Sequence, residues 1–198
     1  LIISDNASSD NTELICKEYA SKDPRIRYVR QLENMGALAN FQIVLSESIG
    51  KYFMWAAADD RWQANWLEML VAIVDKNDCL AFGCVNPINE NGVALLHQAA
   101  RRKLSFRGGR LFRRLSYAFD PPRLGKANLI YGLARRDVFS IRALAECSKL
   151  GSQGDMVYVH YMLTSVEALS CPDTCIDKRI WLGNAAPAKN SRLSEALK

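Results

Sequence analysis

Short apolar runs alternate with amphipathic stretches through the first 86 residues, and this alternation constrains the fold more than any other feature of the chain. Leu1-Ile2-Ile3 reads as a strand, and the following Asp5, Asn6, Ser8, Ser9 and Asp10 supply turn and cap chemistry. A helix with Leu14, Ile15 and Tyr19 along one face should follow and end before Pro24. Ile26, Tyr28 and Leu32 interleave with Arg27 and Arg30 as in a half-buried strand. Beyond the loop Asn34-Met35-Gly36, the residues Leu38, Phe41, Ile43, Val44 and Leu45 suit a helix that stops near Gly50. Residues 52–58 read as a buried strand, 64–76 as a helix and 80–85 as another buried strand. Parallel neighbours need a long crossover, which a helix supplies, so repeated strand–helix units imply a mostly parallel sheet with helices on its faces. The expected fold class is α/β: a Rossmann-like, mostly parallel sheet flanked by helices, in one domain spanning residues 1–198.

The second half is less regular. The basic stretch 101–114, with Gly108-Gly109 inside it, should be a mobile loop plus a short helix. Residues 127–133 return to strand, and 137–147 form a helix capped by Asp137. The loop 151–154 delivers Asp155 at the start of a helix over 156–169, and 175–182 is a late strand. The tail 184–198, rich in Ala, Pro, Asn and Ser, is expected to be loose.

Asp59-Asp60 is the most informative local feature. The pair ends the apolar run Tyr52-Phe53-Met54-Trp55-Ala56-Ala57-Ala58 and precedes Arg61-Trp62. Two adjacent carboxylates repel unless a cation or a positive side chain offsets them. In α/β sheets ligands bind at the carboxyl ends of strands. The pair therefore suggests a site for a divalent metal carrying a phosphorylated ligand. The plainer reading is a solvated turn whose acids cap the next helix.

Composition removes several alternatives. No run is long and apolar enough for a spanning helix, and the opening residues carry no basic leader. The six cysteines (Cys16, Cys79, Cys84, Cys147, Cys171, Cys175) form no CxxC, so reduced thiols are expected. The two histidines, His97 and His160, stand alone and argue against a His-based metal site or a Ser-His-Asp triad. The net charge of +5 is concentrated in Arg101, Arg102, Lys103, Arg107, Arg110, Arg113 and Arg114. Such a cluster suits nucleic acid, anionic headgroups or a diphosphate, and equally a solvated loop.

Three blocks resemble family-2 glycosyltransferases of the GT-A fold. They are the segment from Leu1-Ile2-Ile3-Ser4-Asp5 through Asp10-Asn11-Thr12, the segment Asn34-Met35-Gly36-Ala37-Leu38-Ala39-Asn40-Phe41, and Gly50-Lys51-Tyr52-Phe53 leading into Asp59-Asp60-Arg61-Trp62. They occur in the family's order and at its spacing, over roughly residues 1–75; Asn128-Leu129-Ile130-Tyr131-Gly132 and Asp155 extend the match loosely. The resemblance implies a GT-A fold and inverting transfer from a nucleotide-diphosphate sugar, usually with Mg²⁺ or Mn²⁺. It divides the domain into a nucleotide-sugar-binding half (1–86) and an acceptor-side half (87–183). By matching position, Asp5 would contact the nucleotide base, Asp59 would be the metal- and diphosphate-facing acid of the DxD element, and Asp60 the acid that follows it. Asp155 would be the catalytic base, and Trp62 is placed to stack on sugar or base. The chain departs from the family at Ala57, where the DxD element begins with an acid, and at Gly154, where an acid usually precedes the late Asp. The family's first strand would precede Leu1.

The implied partners are a nucleotide-sugar donor, with a UDP-sugar favoured, and a saccharide or lipid-linked acceptor. Nucleic acid is not expected. Peripheral membrane contact and homo-oligomerisation through an exposed sheet edge are open, and the implied location is cytoplasmic, up to the inner face of the membrane. Two other readings stand beside the enzyme: a non-catalytic α/β remnant or binding module with an incomplete nucleotide site, and a surface binder acting through the basic cluster.

Overall fold

The computed structural model describes residues 1–181. Its elements alternate as expected over the first half: β1 (Ile2–Asp5), α1 (Thr12–Lys22), β2 (Arg27–Arg30), α2 (Ala37–Glu47), β3 (Tyr52–Phe53), β4 (Arg61–Trp62), α3 (Trp66–Val74) and β5 (Cys79–Ile88). The second half adds α4 (Arg110–Phe119), β6 (Ala134–Arg135), α5 (Ile141–Ser148), α6 (Gly154–Met162) and β7 (Glu167–Arg179).

The sheet is less uniformly parallel than the alternation implies. β1 pairs with β2 and β5 with β7 in parallel, whereas β3–β6 and β4–β7 are antiparallel. These form three ladders, β1-β2, β3-β6 and β4-β7-β5. The last two are stitched by an antiparallel bridge between Ala81 and Leu133, each donating its N–H to the other's carbonyl at 2.8 Å. The long β5–β7 pair is the spine of the molecule. β5 is buried along nearly its whole length, as a strand covered on both faces must be.

Five local expectations need correction. Residues 52–58 are not one strand: only Tyr52 and Phe53 join a ladder. Trp55 then turns its indole into the core and donates Nε1 to the Phe41 carbonyl at 3.1 Å, and this packing takes the chain out of the sheet. Residues 127–133 are not a strand either, but a 3₁₀ helix over Lys126–Tyr131 that precedes β6. The Lys126 ammonium pulls this segment inward by donating to the Tyr117 carbonyl at 2.7 Å and the Ala118 carbonyl at 3.2 Å. The helix expected over 156–169 stops at Met162, and β7 begins at Glu167, ahead of the expected 175. Asp137 does not cap α5; Ser140 does, accepting from the Ala143 amide at 3.2 Å, while Asp137 pairs with Arg135. Residue 182 and the tail 184–198 lie outside the described residues.

The core centres on Trp55, 2% exposed. Its ring stacks on Phe41 (5.2 Å) and meets Phe53 (4.8 Å), Phe139 (5.3 Å) and Tyr158 (5.9 Å) edge-on. Removing about 200 Å² of such a side chain from water contributes roughly 5 kcal/mol at ~25 cal/mol per Å². Trp66 is equally buried, 5.5 Å from Phe82, and is a core residue. Gly83 marks the register shift between Phe82 and Cys84, and a Cβ there would overlap the Trp66 ring and the Thr174 carbonyl. Cys84 and Cys175 are register partners on β5 and β7, with Cα atoms 4.3 Å apart, and are joined as a disulfide. That corrects the expectation of six reduced thiols. Their separation of 91 residues conceals the pairing in the sequence. Cys16, Cys79, Cys147 and Cys171 are free and buried.

Candidate functional site

The acidic pair sits on the turn that leads into β4, with the Asp60 amide bonded to the Ala57 carbonyl at 3.3 Å. The acids do not cap the next helix; Asn65 occupies the N-cap of α3. The end of β7 holds them instead. Asp60 is 2% exposed and accepts from Lys178 Nζ at 2.7 Å and from the Arg179 amide at 3.0 Å. Arg179 Nε donates to the Asp59 carbonyl oxygen at 3.0 Å, and Trp181 Nε1 donates to Asp59 Oδ2 at 3.2 Å. Arg179 Nη1 also bonds the Asn89 carbonyl at 3.2 Å and the Glu90 carbonyl, so one guanidinium ties the acidic turn to the loop after β5.

Lys178 is the hub. Its ammonium lies 4.3 Å from the centre of the Tyr131 ring, within cation–π range. Tyr131 in turn lies 6.3 Å from Trp62 and 6.4 Å from Phe41. Burial opposes the Lys178 charge, but Tyr131, Asp60 and Asp59 outweigh it and raise its pKa, so the ammonium stays protonated. Burial pushes the Asp60 carboxyl upward, against the pull of Lys178 and the Arg179 amide.

Asp155 is the second residue of α6, and its Oδ1 accepts from the Met156 amide at 2.6 Å. Burial raises its pKa above the ordinary value, and the Lys178 charge pulls the other way. Of the expected site residues, Asp60 bonds the Lys178 ammonium, Asp59 is held beside it by Arg179 and Trp181, and Trp62 lies 6.3 Å from the Tyr131 ring that the ammonium faces.

Asp5 belongs to a separate constellation at the end of β1. Its carboxylate accepts from the Ser8 amide (2.8 Å), the Tyr28 hydroxyl (2.7 Å) and Arg30 Nη1 (3.0 Å). Burial pushes its pKa up, but Ser8, Tyr28 and Arg30 outweigh burial and leave it lowered. Contact with a nucleotide base needs a carboxylate turned to the ligand, and here three protein donors surround it. Around it, Asn6 and Asn34 knit the loops after β1 and β2, through Asn6 Nδ2 to Asn34 Oδ1 (2.8 Å) and the Met35 amide to Asn6 Oδ1 (2.9 Å). Gly36 adopts a φ of 85°, a conformation that favours glycine.

The described residues contain no cluster of three or more His, Cys, Asp or Glu side chains able to enclose an ion. Mg²⁺ and similar ions keep waters and take substrate phosphates, so one or two carboxylates suffice. Both Asp60 oxygens are committed to protein donors, whereas among the described residues Asp59 commits Oδ2 alone. The set fits an ion arriving on a diphosphate and held through Asp59; it does not fit an ion enclosed by protein.

Sequence reasoning missed Lys178, Arg179 and Tyr131. The available signal was a Lys-Arg pair inside a predicted strand, where adjacent charges need partners. It also credited the basic cluster with spare charge, yet Arg102 pairs with Asp120, and Arg113 caps α6 by donating to the Leu163 carbonyl at 2.7 Å.

Three comparisons bear on this site. The family model "Glycosyl transferase family 2" matches residues 1–133. An Escherichia coli protein, UDP-Glc:alpha-D-GlcNAc-diphosphoundecaprenol beta-1,3-glucosyltransferase WfgD, is 31% identical over 94 residues, 47% of this chain and 36% of that protein. An uncharacterized Mycobacterium tuberculosis protein is 41% identical over 63 residues, 31% of this chain and 18% of that one. Among solved structures, S. aureus TarS 1-349 in complex with UDP-GlcNAc aligns over 98% of this chain and 51% of its own, with a TM-score of 0.61 and 16% identity, a likeness of fold alone. The chain thus spans about half of that structure and at most about a third of these two relatives. The α/β architecture is that of GT-A glycosyltransferases, and the chain belongs to glycosyl transferase family 2.

Proposed function

We propose that this chain carries the donor site of an inverting glycosyltransferase that uses a nucleotide-diphosphate sugar, with a UDP-sugar favoured. The observation that carries the reading is the Asp59-Asp60 turn held by Lys178, Arg179 and Trp181, with the Tyr131 ring over the ammonium and Trp62 beside it. A divalent cation, Mg²⁺ or Mn²⁺, would offset the negative charge growing on the leaving diphosphate, and Asp59 would hold it. Asp60, pinned by Lys178 and Arg179, keeps the turn from moving when the donor binds. Trp62 offers a half-buried ring on which a sugar or base can stack.

Asp155 takes the proton from the acceptor hydroxyl. Its partial burial makes it a stronger base than a solvated carboxylate, which suits proton abstraction near neutral pH. Attack on the face opposite the departing diphosphate inverts the anomeric centre. The E. coli relative's name specifies a diphosphoundecaprenol-linked acceptor, which supports a lipid-linked or saccharide acceptor here.

Titration calorimetry with UDP and Mn²⁺ tests the reading. Metal-dependent binding that disappears in Asp59→Ala supports it. Absence of binding to any nucleoside diphosphate would favour a non-catalytic binding module, a reading for which Ala57 at the head of the DxD-like element speaks.

A further inference from the structure

Arg179 carries a charge that its protein partners do not neutralise. Its Nε donates to the Asp59 carbonyl at 3.0 Å, and its Nη1 donates to the Asn89 carbonyl at 3.2 Å and to the Glu90 carbonyl. All three acceptors are uncharged backbone groups. Among the described residues no carboxylate pairs with this guanidinium, and Nη2 donates to none of their acceptors. The neighbouring base differs: Lys178 is ion-paired with Asp60 at 2.7 Å. A half-buried guanidinium held by carbonyls keeps its charge and the two N–H groups of Nη2 for an anion from outside.

Asp59 is its counterpart. The Asp59 carboxylate accepts from the neutral Trp181 indole at 3.2 Å, and among the described residues no basic side chain lies within ion-pair distance of it. The Arg179 guanidinium carbon is 6.0 Å from the centre of the Trp181 ring, so the same ring neighbours both charges. A fixed cation and a fixed anion thus stand side by side, linked through a carbonyl and an indole rather than through each other. A divalent cation on a diphosphate has the complementary faces: its metal suits Asp59, and its phosphate oxygens suit the fork of Arg179. Resting on the donor-site reading above, we propose that Arg179 binds the diphosphate of the sugar donor through Nη2. When the anomeric C–O bond breaks, its electron pair goes to the phosphate oxygen, the acceptor oxygen forms the new bond, and the acceptor proton goes to Asp155. Arg179 exchanges no proton; its charge offsets the charge gained by the leaving group.

NMR titrations with Mg²⁺ and UDP, GDP or dTDP, each beside its parent nucleoside, separate this role from simple bracing of the turn. Arg179→Gln should weaken diphosphate binding by about ten- to a hundredfold and leave nucleoside binding unchanged. Arg179→Lys, which keeps the charge without the fork, should recover part of the loss. On the native chain, phenylglyoxal modification of Arg179, followed by peptide mapping, should be slowed by the diphosphate and not by the nucleoside. A brace alone would make Arg179→Gln lose nucleoside and diphosphate affinity equally, and that result overturns the proposal. So does a modification rate that the diphosphate does not slow. Diphosphate binding that is lost in Asp59→Ala but undiminished in folded Arg179→Gln would keep the donor site and remove Arg179 from it. A native chain that binds none of the three diphosphates would remove both.

Discussion

The Lys178 ammonium lies 2.7 Å from Asp60 Oδ2, joining the end of β7 to the turn before β4 across 118 residues of sequence. The Asp60 side chain is fully buried and that of Lys178 is 21% exposed. Removing one partner of a buried pair strands the other, at a cost of about 3–5 kcal/mol. Lys178→Ala should therefore lower unfolding stability by about 3 kcal/mol. Lys178→Met combined with Asp60→Asn should recover most of the loss, because no uncompensated charge remains. Urea unfolding of the two variants beside the native chain measures this; a Lys178→Ala chain as stable as the native one would show that the pair is solvated.

Asp155→Asn separates chemistry from stability. If Asp155 is the base, turnover should fall by about 10²–10⁴-fold while UDP affinity is retained. Its folded pKa is raised, so the charged form costs the folded state above the unfolded pKa, and removing the charge at pH 7 should leave stability equal or higher. For the same reason the fall of native kcat/KM with decreasing pH should be centred above the ordinary Asp value. Turnover within threefold of native in Asp155→Asn, read in a steady-state assay with about a tenfold range of donor, would remove it from the base role.

Gly83 tests the spine. A Cβ at this position would drive into the Trp66 ring and the Thr174 carbonyl, neither of which is the free end of a flexible chain. Gly83→Ala should destabilise by about 1–3 kcal/mol or more through overpacking, with a lowered thermal midpoint and altered tryptophan emission.

The legible part of this fold was the part set by local pattern. Helices α1, α2 and α3 and strand β5 carry periodicities that their own residues determine, and the three motif blocks fixed the order of the first half. The illegible part depends on distant partners. Trp55 leaves the expected strand because Phe41, Phe53, Phe139 and Tyr158 enclose it, and Lys126 bends an apolar run into a 3₁₀ helix because the open carbonyls of α4 lie above it. The site divides the same way. Asp59, Asp60 and Asp155 were legible as candidate acids, but no window of sequence could pair Lys178 with Asp60.

Asp5 should set an acid limb of stability. Its carboxylate accepts from the Ser8 amide, the Tyr28 hydroxyl and Arg30, and its pKa lies below the ordinary 3.8. A lowered folded pKa contributes stability that is complete above the unfolded pKa and is lost as pH falls through the folded one. Hydrogen bonds to a charged group contribute about 1.5–3 kcal/mol each, so Asp5→Asn should cost about 2–3 kcal/mol at neutral pH. The gap between native and variant chains should hold down to about pH 4 and narrow progressively below it, as the native carboxyl takes up its proton. Denaturant unfolding at a series of pH values reads this directly; a gap that stays constant through the acid range would mean that the interactions of Asp5 do not depend on its charge.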